Sequence, residues 1–188
     1  MRYLLSILIG LAFLISACQC QKENNAHEHK GEVPADTIKK SIPREVHSQI
    51  GRVHFMMKYH APAVRGRTVW GGLVPYDEVW VTGAHSATSL EFDKDIKIND
   101  TKVPAGKYAF FTIPGKERWT LIINKNWKQH LTDDYNAKDD VVRIEVTPEA
   151  LQETQERLKY SISQLADSNA AISMSWEKVK VKLHIQLN

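Results

Sequence analysis

The sequence predicts an all-β protein, with a single antiparallel β-sandwich or barrel-like domain and one or two short helical turns over residues 41–188. Short segments in which apolar and polar residues alternate are typical of strands with one buried face. Turn signals separate these segments at near-regular spacing, which favours a sandwich or barrel. Both cysteines of the chain precede this region, so the fold must be stabilised by its core without a disulfide.

The clearest early strand covers residues 52–60, where Val53, Phe55, Met57 and Tyr59 alternate with residues suited to an outer face. A tight turn at Asn99-Asp100 predicts a hairpin between two short strands. Further strands are predicted at Ser89–Phe92, Asp95–Asn99, Thr101–Val103, Lys107–Ile113, Trp119–Asn124, Val141–Val146, Leu158–Leu165, Ala171–Trp176 and Val179–Leu187. The helical turns are predicted at Pro148–Gln152, after the capping residue Thr147, and at Asn126–Leu131.

The N-terminus predicts a lipoprotein signal peptide over residues 1–17. Arg2 precedes an apolar stretch that is shorter than the roughly 20 residues needed to span a bilayer. Small residues then lead to Cys18, the predicted lipidation site. Gln19 is not the aspartate associated with inner-membrane retention, so the predicted location is the cell envelope, with the outer membrane favoured. An uncleaved anchor with an incidental cysteine is the alternative.

Residues 18–40 are polar and predict a flexible tether between the lipid and the domain. The net charge of +3 falls to +2 once Arg2 is removed with the signal, and basic residues are scattered among acidic ones. Nucleic acid is therefore excluded as a partner. The membrane, contacted through Cys18, is a predicted partner, whereas the sequence leaves the oligomeric state open.

Arginine, glycine and aromatic residues concentrate between residues 60 and 88. Arg65 and Arg67 flank a glycine, and Trp70 precedes two more. Arginines beside glycine amides suit a carboxylate, sulfate or phosphate. Alternatively, the arginines pair with acidic residues and stiffen the loops; the candidates are Asp77, Glu78 and Glu91.

The segment from Thr82 to Thr88 holds small polar residues around His85. His85 is a candidate general base or ligand, with neighbouring hydroxyls to assist it. Catalysis would require a carboxylate from elsewhere, such as Asp77 or Glu91. No G-x-S-x-G motif is present, which argues against a serine hydrolase.

His54 and Met56 lie on one face of the first strand and are candidate ligands for a soft metal. A third ligand would have to come from elsewhere, such as His130 or His184. Spaced cysteines, H-E-x-x-H and a calcium-loop motif are all missing from the sequence. No metal centre and no cofactor are therefore predicted.

The tryptophans divide by position. Trp80, Trp119 and Trp176 lie in strand patterns and are predicted to be buried. Trp70 and Trp127 lie in loop-like stretches, where an exposed ring could contact a ligand such as a sugar.

Several segments together resemble the DUF2911 family, a domain of unknown function found in exported bacterial proteins and lipoproteins. They are Ala61–Arg67, Trp70–Tyr76, Val79–Ala84, Ala87-Thr88, Val103–Tyr108, Phe111–Gly115 and Trp119–Lys125. The resemblance implies a single β-rich domain over nearly the whole mature chain and implies no activity. The chain differs from the usual family pattern at Val81, His85 and Ser86.

These observations predict a non-catalytic binding module for a small anionic or glycan ligand in the cell envelope. Its ligand would lie against the Arg65–Trp70 loop and the Thr82–Thr88 segment. A hydrolase or isomerase centred on His85, and an envelope scaffold or protein-interaction domain, are the alternatives. The candidate ligand-binding residues are Arg65, Arg67, Trp70, Thr82, His85 and Thr88.

Overall fold

Strands make up nearly all the regular structure of residues 40–187, which are the residues that the computed structural model describes. A single 3-10 turn, Ala137–Asp139, accompanies them. The strands are β1 (Ile42–Ile50), β2 (Val53–Ala61), β3 (Ser89–Phe92), β4 (Ile96–Ile98), β5 (Thr101–Val103), β6 (Gly106–Ile113), β7 (Trp119–Asn124), β8 (Asp140–Val146), β9 (Glu149–Ala166) and β10 (Asn169–Leu187).

The strands form two antiparallel sheets. The six-stranded sheet has the order β1-β2-β3-β6-β7-β8, and the four-stranded sheet has the order β5-β4-β10-β9. The predicted all-β, sandwich-like fold is confirmed.

The main core lies between the sheets, because the apolar residues of each strand alternate toward it. Val53, Phe55, Met57 and Tyr59 of β2 are buried, whereas His54 and Lys58 between them are exposed. Phe110 of β6 and Trp176 of β10 add large side chains from both sheets to this core. A period-two pattern of this kind fixes which face of a strand is buried.

A second, smaller apolar cluster covers part of the outer face of the six-stranded sheet. Phe111 and Ile122, which neighbour each other across β6 and β7, are fully buried there. They are covered by Val81 and Ala87 from the segment between β2 and β3, and by Trp127 from the segment after β7. Two irregular segments are thereby held against the sheet.

The sheets are joined by backbone bonds where β2 ends. The amide of Leu158 in β9 donates to the Pro62 carbonyl at 3.0 Å, and the Val64 amide donates to the Glu156 carbonyl at 2.8 Å. The chain therefore leaves the six-stranded sheet along the edge strand of the other sheet.

Both predicted helical turns are wrong. Glu149 and Ala150 begin β9 and pair with Lys180 and Val179 of β10, so cross-strand pairing overrides the local capping signal. Around Asn126, side chains form hydrogen bonds with the backbone that compete with a helix. The Asn126 backbone amide, for example, donates to the Asn124 side-chain oxygen.

The two strands predicted at Ala171–Trp176 and Val179–Leu187 belong to one strand, β10. The register against β9 shifts on both sides of Glu177, which has a φ of 54°. A β-bulge therefore interrupts the alternation without ending the strand. The predicted hairpin at Asn99 is confirmed, with a φ of 49° that suits a tight turn.

The predicted signal peptide, the lipidation site Cys18 and residues 18–39 of the predicted tether lie outside the described residues. Within residues 40–187, no helix has the length and apolar character to cross a membrane.

Leu90 is fully buried in β3, between strands β2 and β6. Leu90→Ala is expected to lower the free energy of unfolding by about 2–5 kcal/mol, because it leaves a cavity in the core. Denaturant unfolding of the full chain measures this loss. Leu165→Ala at an exposed leucine is the control and should change stability by less than about 0.5 kcal/mol. Equal losses in the two variants would contradict the assigned core.

Candidate functional site

The segment from Trp80 to Thr88 runs beside β6 and is anchored at Thr82. Trp80 and Thr112 of β6 exchange backbone hydrogen bonds of 2.8 and 3.0 Å. The Thr82 carbonyl, fully buried, accepts from the Tyr160 hydroxyl at 2.8 Å and from the Thr88 hydroxyl at 3.0 Å. Residues from both sheets therefore converge on one threonine.

The Thr82 hydroxyl completes this anchor. It lies 3.1 Å from the Trp80 carbonyl oxygen and 3.0 Å from the Thr112 hydroxyl, so it can donate to the first and accept from the second. Burial raises the pKa of the Tyr160 hydroxyl well above its ordinary value, which keeps it a hydrogen-bond donor. The predicted ligand-binding residues Thr82 and Thr88 thus bond to the protein itself and lie beneath the surface.

A cavity of about 340 Å³ opens between the Arg65–Trp70 loop region and this segment, and we call it the arginine cavity. Its lining includes Arg67, Leu73, Trp80, His85, Leu131 and Trp176. Of the predicted site residues, the structure brings Arg67 and His85 together here.

The Arg67 side chain is held by the loop that carries it. Its Nε donates to the Val64 carbonyl at 3.1 Å and its Nη2 donates to the Ala63 carbonyl at 2.6 Å. The predicted alternative, pairing of Arg67 with Asp77, Glu78 or Glu91, does not occur among the described residues. A guanidinium has five N–H donors, so these two bonds fix its orientation and leave donors for a ligand.

Two residues on the cavity lining have backbone conformations that side chains rarely adopt. His85 has a φ of 64° and Leu131 a φ of 48°. The Leu131 amide donates to the His85 carbonyl at 2.6 Å, and Ser86 and His130 form an antiparallel bridge beside it. We call this pairing of residues 85–87 with 129–131 the ribbon. Strain of this kind costs about 1–3 kcal/mol per residue and clusters at binding sites.

His85 lacks the partner that acid–base catalysis requires. Its ring meets the ring of His60 edge to face, with centroids 5.2 Å apart. Among residues 40–187, no carboxylate is hydrogen-bonded to or ion-paired with His85; Glu91, one of the two predicted partners, pairs instead with Lys107 at 3.8 Å. A general base is normally oriented by such a group.

Burial, and secondarily the charge of His85, lowers the pKa of His60. His60 is half-buried and lines a different cavity from His85. The histidine pair therefore lies where two cavities approach each other.

Trp70, predicted to be exposed, is half-buried inside a cluster of four indoles. Its ring centroid lies 4.8 Å from that of Trp119 and within 5.7 Å of those of Trp80 and Trp176. Trp119 and Trp176 are buried as predicted, whereas Trp80 is half-buried. Trp70 thus supports the wall of the arginine cavity from behind.

Arg65 lies apart from the arginine cavity. Its amide donates to the Glu156 carboxylate at 2.9 Å, and its φ is 54°. The residue joins the loop to β9 of the other sheet.

A second cavity, of about 510 Å³, lies on the outer face of the six-stranded sheet, across the ribbon, and we call it the lysine cavity. Its lining includes Lys58, His60, Lys107, Trp127, Lys128 and Gln129. The Nζ atom of Lys107 lies 4.0 Å from the centroid of the Trp127 ring, and that of Lys128 lies 5.1 Å from it. Trp127 is half-buried, with both ammonium groups over its ring.

A third cavity, of about 450 Å³, contains the candidate metal ligands His54 and Met56. His47, directly opposite Met56 in the β1–β2 register, joins them, whereas neither His130 nor His184 lines this cavity. Within residues 40–187, no three His, Cys, Asp or Glu side chains are grouped to hold a metal ion.

Sequence reasoning missed Leu73, Leu131 and the Lys107–Trp127 contact. Lys107 and Trp127 belong to different elements, and no sequence pattern pairs β6 with the segment after β7. The sequence did not mark the two leucines as candidate site residues, because single exposed apolar residues are common.

The fold and these sites define a two-sheet antiparallel β domain with cavities on both sides of an irregular, strained ribbon. The chain belongs to the DUF2911 family, described as a protein of unknown function, whose model matches residues 41–185. The resemblance inferred from the sequence is thereby confirmed. Comparisons with curated proteins and with solved structures gave no match.

Tyr160→Phe is expected to lower the free energy of unfolding by about 1 kcal/mol, because the Thr82 carbonyl loses one of its two donors. Tyr76→Phe, at a half-buried tyrosine outside this anchor, serves as the control. Denaturant unfolding compares the two variants. A loss in Tyr76→Phe as large as in Tyr160→Phe would argue against the anchor.

Lowering the pH below about 6.5 is expected to destabilise the fold through His60. Its pKa in the folded protein lies below 6.5, so the unfolded chain binds the proton first and becomes favoured as the pH falls. The loss ends once the pH is below the pKa of His60 in the folded state. Unfolding free energies measured across this range should fall less steeply in His60→Gln than in the unmodified chain. His184→Gln, which changes an exposed imidazole on β10, is the control for replacing a histidine by glutamine.

Proposed function

We propose that the protein is a non-catalytic binding module of the cell envelope that takes a small organic anion with an apolar part in the arginine cavity. The observation that carries this proposal is the convergence of Arg67 and His85 on a largely apolar cavity. Ligand cavities typically combine apolar walls with a few oriented polar groups.

Arg67 supplies the anion contact. Its bonds to two loop carbonyls hold the guanidinium in place before a ligand arrives. A carboxylate would therefore bind a group that has already lost most of its side-chain entropy. Charge-assisted bonds of this type are stronger than those between neutral groups.

Leucines and tryptophans supply the apolar contact. Leu73 and Leu131 are 45% and 41% exposed, and they are two of the three exposed large apolar residues in the described chain. Both line the arginine cavity, together with the indoles of Trp80 and Trp176. A ligand that covered them would gain roughly 25 cal/mol for each Å² removed from water.

Binding is favoured over catalysis because of what surrounds His85. Its ring contacts His60, and no carboxylate among residues 40–187 orients it. A lipid on Cys18 and the polar tether would keep the domain at the membrane, where it would meet ligands of the envelope.

The proposal predicts that phenylacetate binds and that its neutral isostere phenylacetamide binds at least about tenfold more weakly, since it lacks the charge that Arg67 recognises. Phenylacetate at about 100 times its dissociation constant should stabilise the full chain by about 2.7 kcal/mol. Calorimetric titration and thermal unfolding measure the two effects.

Leu73→Asp should abolish phenylacetate binding, because it places a carboxylate on the cavity lining. Leu165→Asp is the matched control, since it makes the same change at an exposed leucine outside every described cavity lining. Binding that survives Leu73→Asp, or equal binding of the acid and the amide, would overturn the proposal.

A further inference from the structure

The lysine cavity differs from the arginine cavity in its charge. Four cations line it, Arg44, Lys58, Lys107 and Lys128, against the single carboxylate of Glu45. Glu45 is already engaged, since its carboxylate lies 2.9 Å from the Lys58 ammonium and its pKa is lowered chiefly by that hydrogen bond. The cavity is therefore electropositive and suits an anion.

Two of these four cations lie close to the ring of Trp127. The Nζ atoms of Lys107 and Lys128 lie 4.0 and 5.1 Å from its ring centroid, so one indole attracts two ammonium groups that repel each other. An anion that contacted both would offset their repulsion. The nearest carboxylate to Lys107, that of Glu91, lies at 3.8 Å and lines the neighbouring cavity.

Gln129 adds a requirement that a simple anion does not meet. The residue is 94% buried, and its Nε2 donates to the Asn126 carbonyl at 2.6 Å. Its Oε1 is buried and accepts no hydrogen bond from residues 40–187. A buried acceptor without a donor costs about 1–3 kcal/mol. Gln129 lines the cavity, so a small rotation of its amide would bring this oxygen to a ligand hydroxyl.

We infer that the lysine cavity is a second binding site, which takes an acidic monosaccharide of the uronic acid class. The carboxylate would contact Lys107 and Lys128, and a ring hydroxyl would donate to the Gln129 Oε1 atom. The hydroxyls of Ser86 and Ser89, which also line the cavity, are available to other ring hydroxyls. A volume of about 510 Å³ lies within the usual range for small-ligand sites.

This site is independent of the proposed function, since its charged lining residues do not contribute to the arginine cavity. The ribbon and the contact between His60 and His85 separate the two. Loss of one site therefore leaves the other testable.

The test is calorimetric titration of the full-length Leu73→Asp variant, whose arginine cavity should no longer take an organic anion, with glucuronate, with glucose and with cyclohexanecarboxylate. Glucose lacks the charge and cyclohexanecarboxylate lacks the hydroxyls, so each should bind at least about tenfold more weakly than glucuronate. Equal binding of cyclohexanecarboxylate would indicate a simple anion site and overturn the sugar assignment. Equal binding of glucose would overturn the role of the lysines.

Lys107→Gln should weaken glucuronate binding at least about tenfold, because it removes one of the two ammonium groups. Lys128→Gln, at an exposed lysine, tests the second ammonium group in case the first variant is unstable. Lys116→Gln changes an exposed lysine in the turn between β6 and β7 and should leave binding within about twofold of the original.

Leu73→Asp separates this site from the arginine cavity, since it should abolish phenylacetate binding and leave glucuronate binding intact. Unchanged affinity for glucuronate in both lysine variants, or no binding of glucuronate to the unmodified chain, would overturn the inference.

Discussion

The buried hydrogen bonds of Thr82 are the constraint on which the rest of the structure depends. The chain has no disulfide in its folded domain, so its two sheets are held by burial and by polar groups that bridge them. Thr82 accepts from Tyr160 of one sheet and lies beside Thr112 of the other. Its φ of 50° is unfavourable for a threonine and persists because four bonds determine its position.

The position of Thr82 decides where the cavities lie. From this residue the chain turns outward through His85, and the ribbon then pairs it with the segment that carries Leu131. One side of the ribbon contributes to an apolar cavity with an arginine, and the other side contributes to a cavity with three lysines. A single strained connection thus separates two chemically different cavities. A regular strand in its place would be covered by neighbouring strands.

The sequence predicted most of the strands, because period-two alternation reports directly on burial. β3, β5 and β7 were predicted to the residue, whereas β1 went unnoticed, since only Ile50 of its nine residues is buried. Local signals failed where tertiary pairing overrode them, as at Glu149. For the site, glycines and arginines indicated the right region, but Thr82 and Thr88 could not be distinguished from ligand contacts without knowing their burial.

The hydrogen bonds of each polar residue indicate whether its polar atoms stabilise the fold or remain for a ligand. Thr82 and Thr88 use their polar atoms inside the protein, and Arg67 uses two of its five donors there. Gln129 is the opposite case, since its amide nitrogen is bonded and its buried oxygen is not. A buried polar atom seldom remains unsatisfied without a functional reason. In both the lysine cavity and the arginine cavity, the fold orients donors and acceptors that are not fully hydrogen-bonded within the protein.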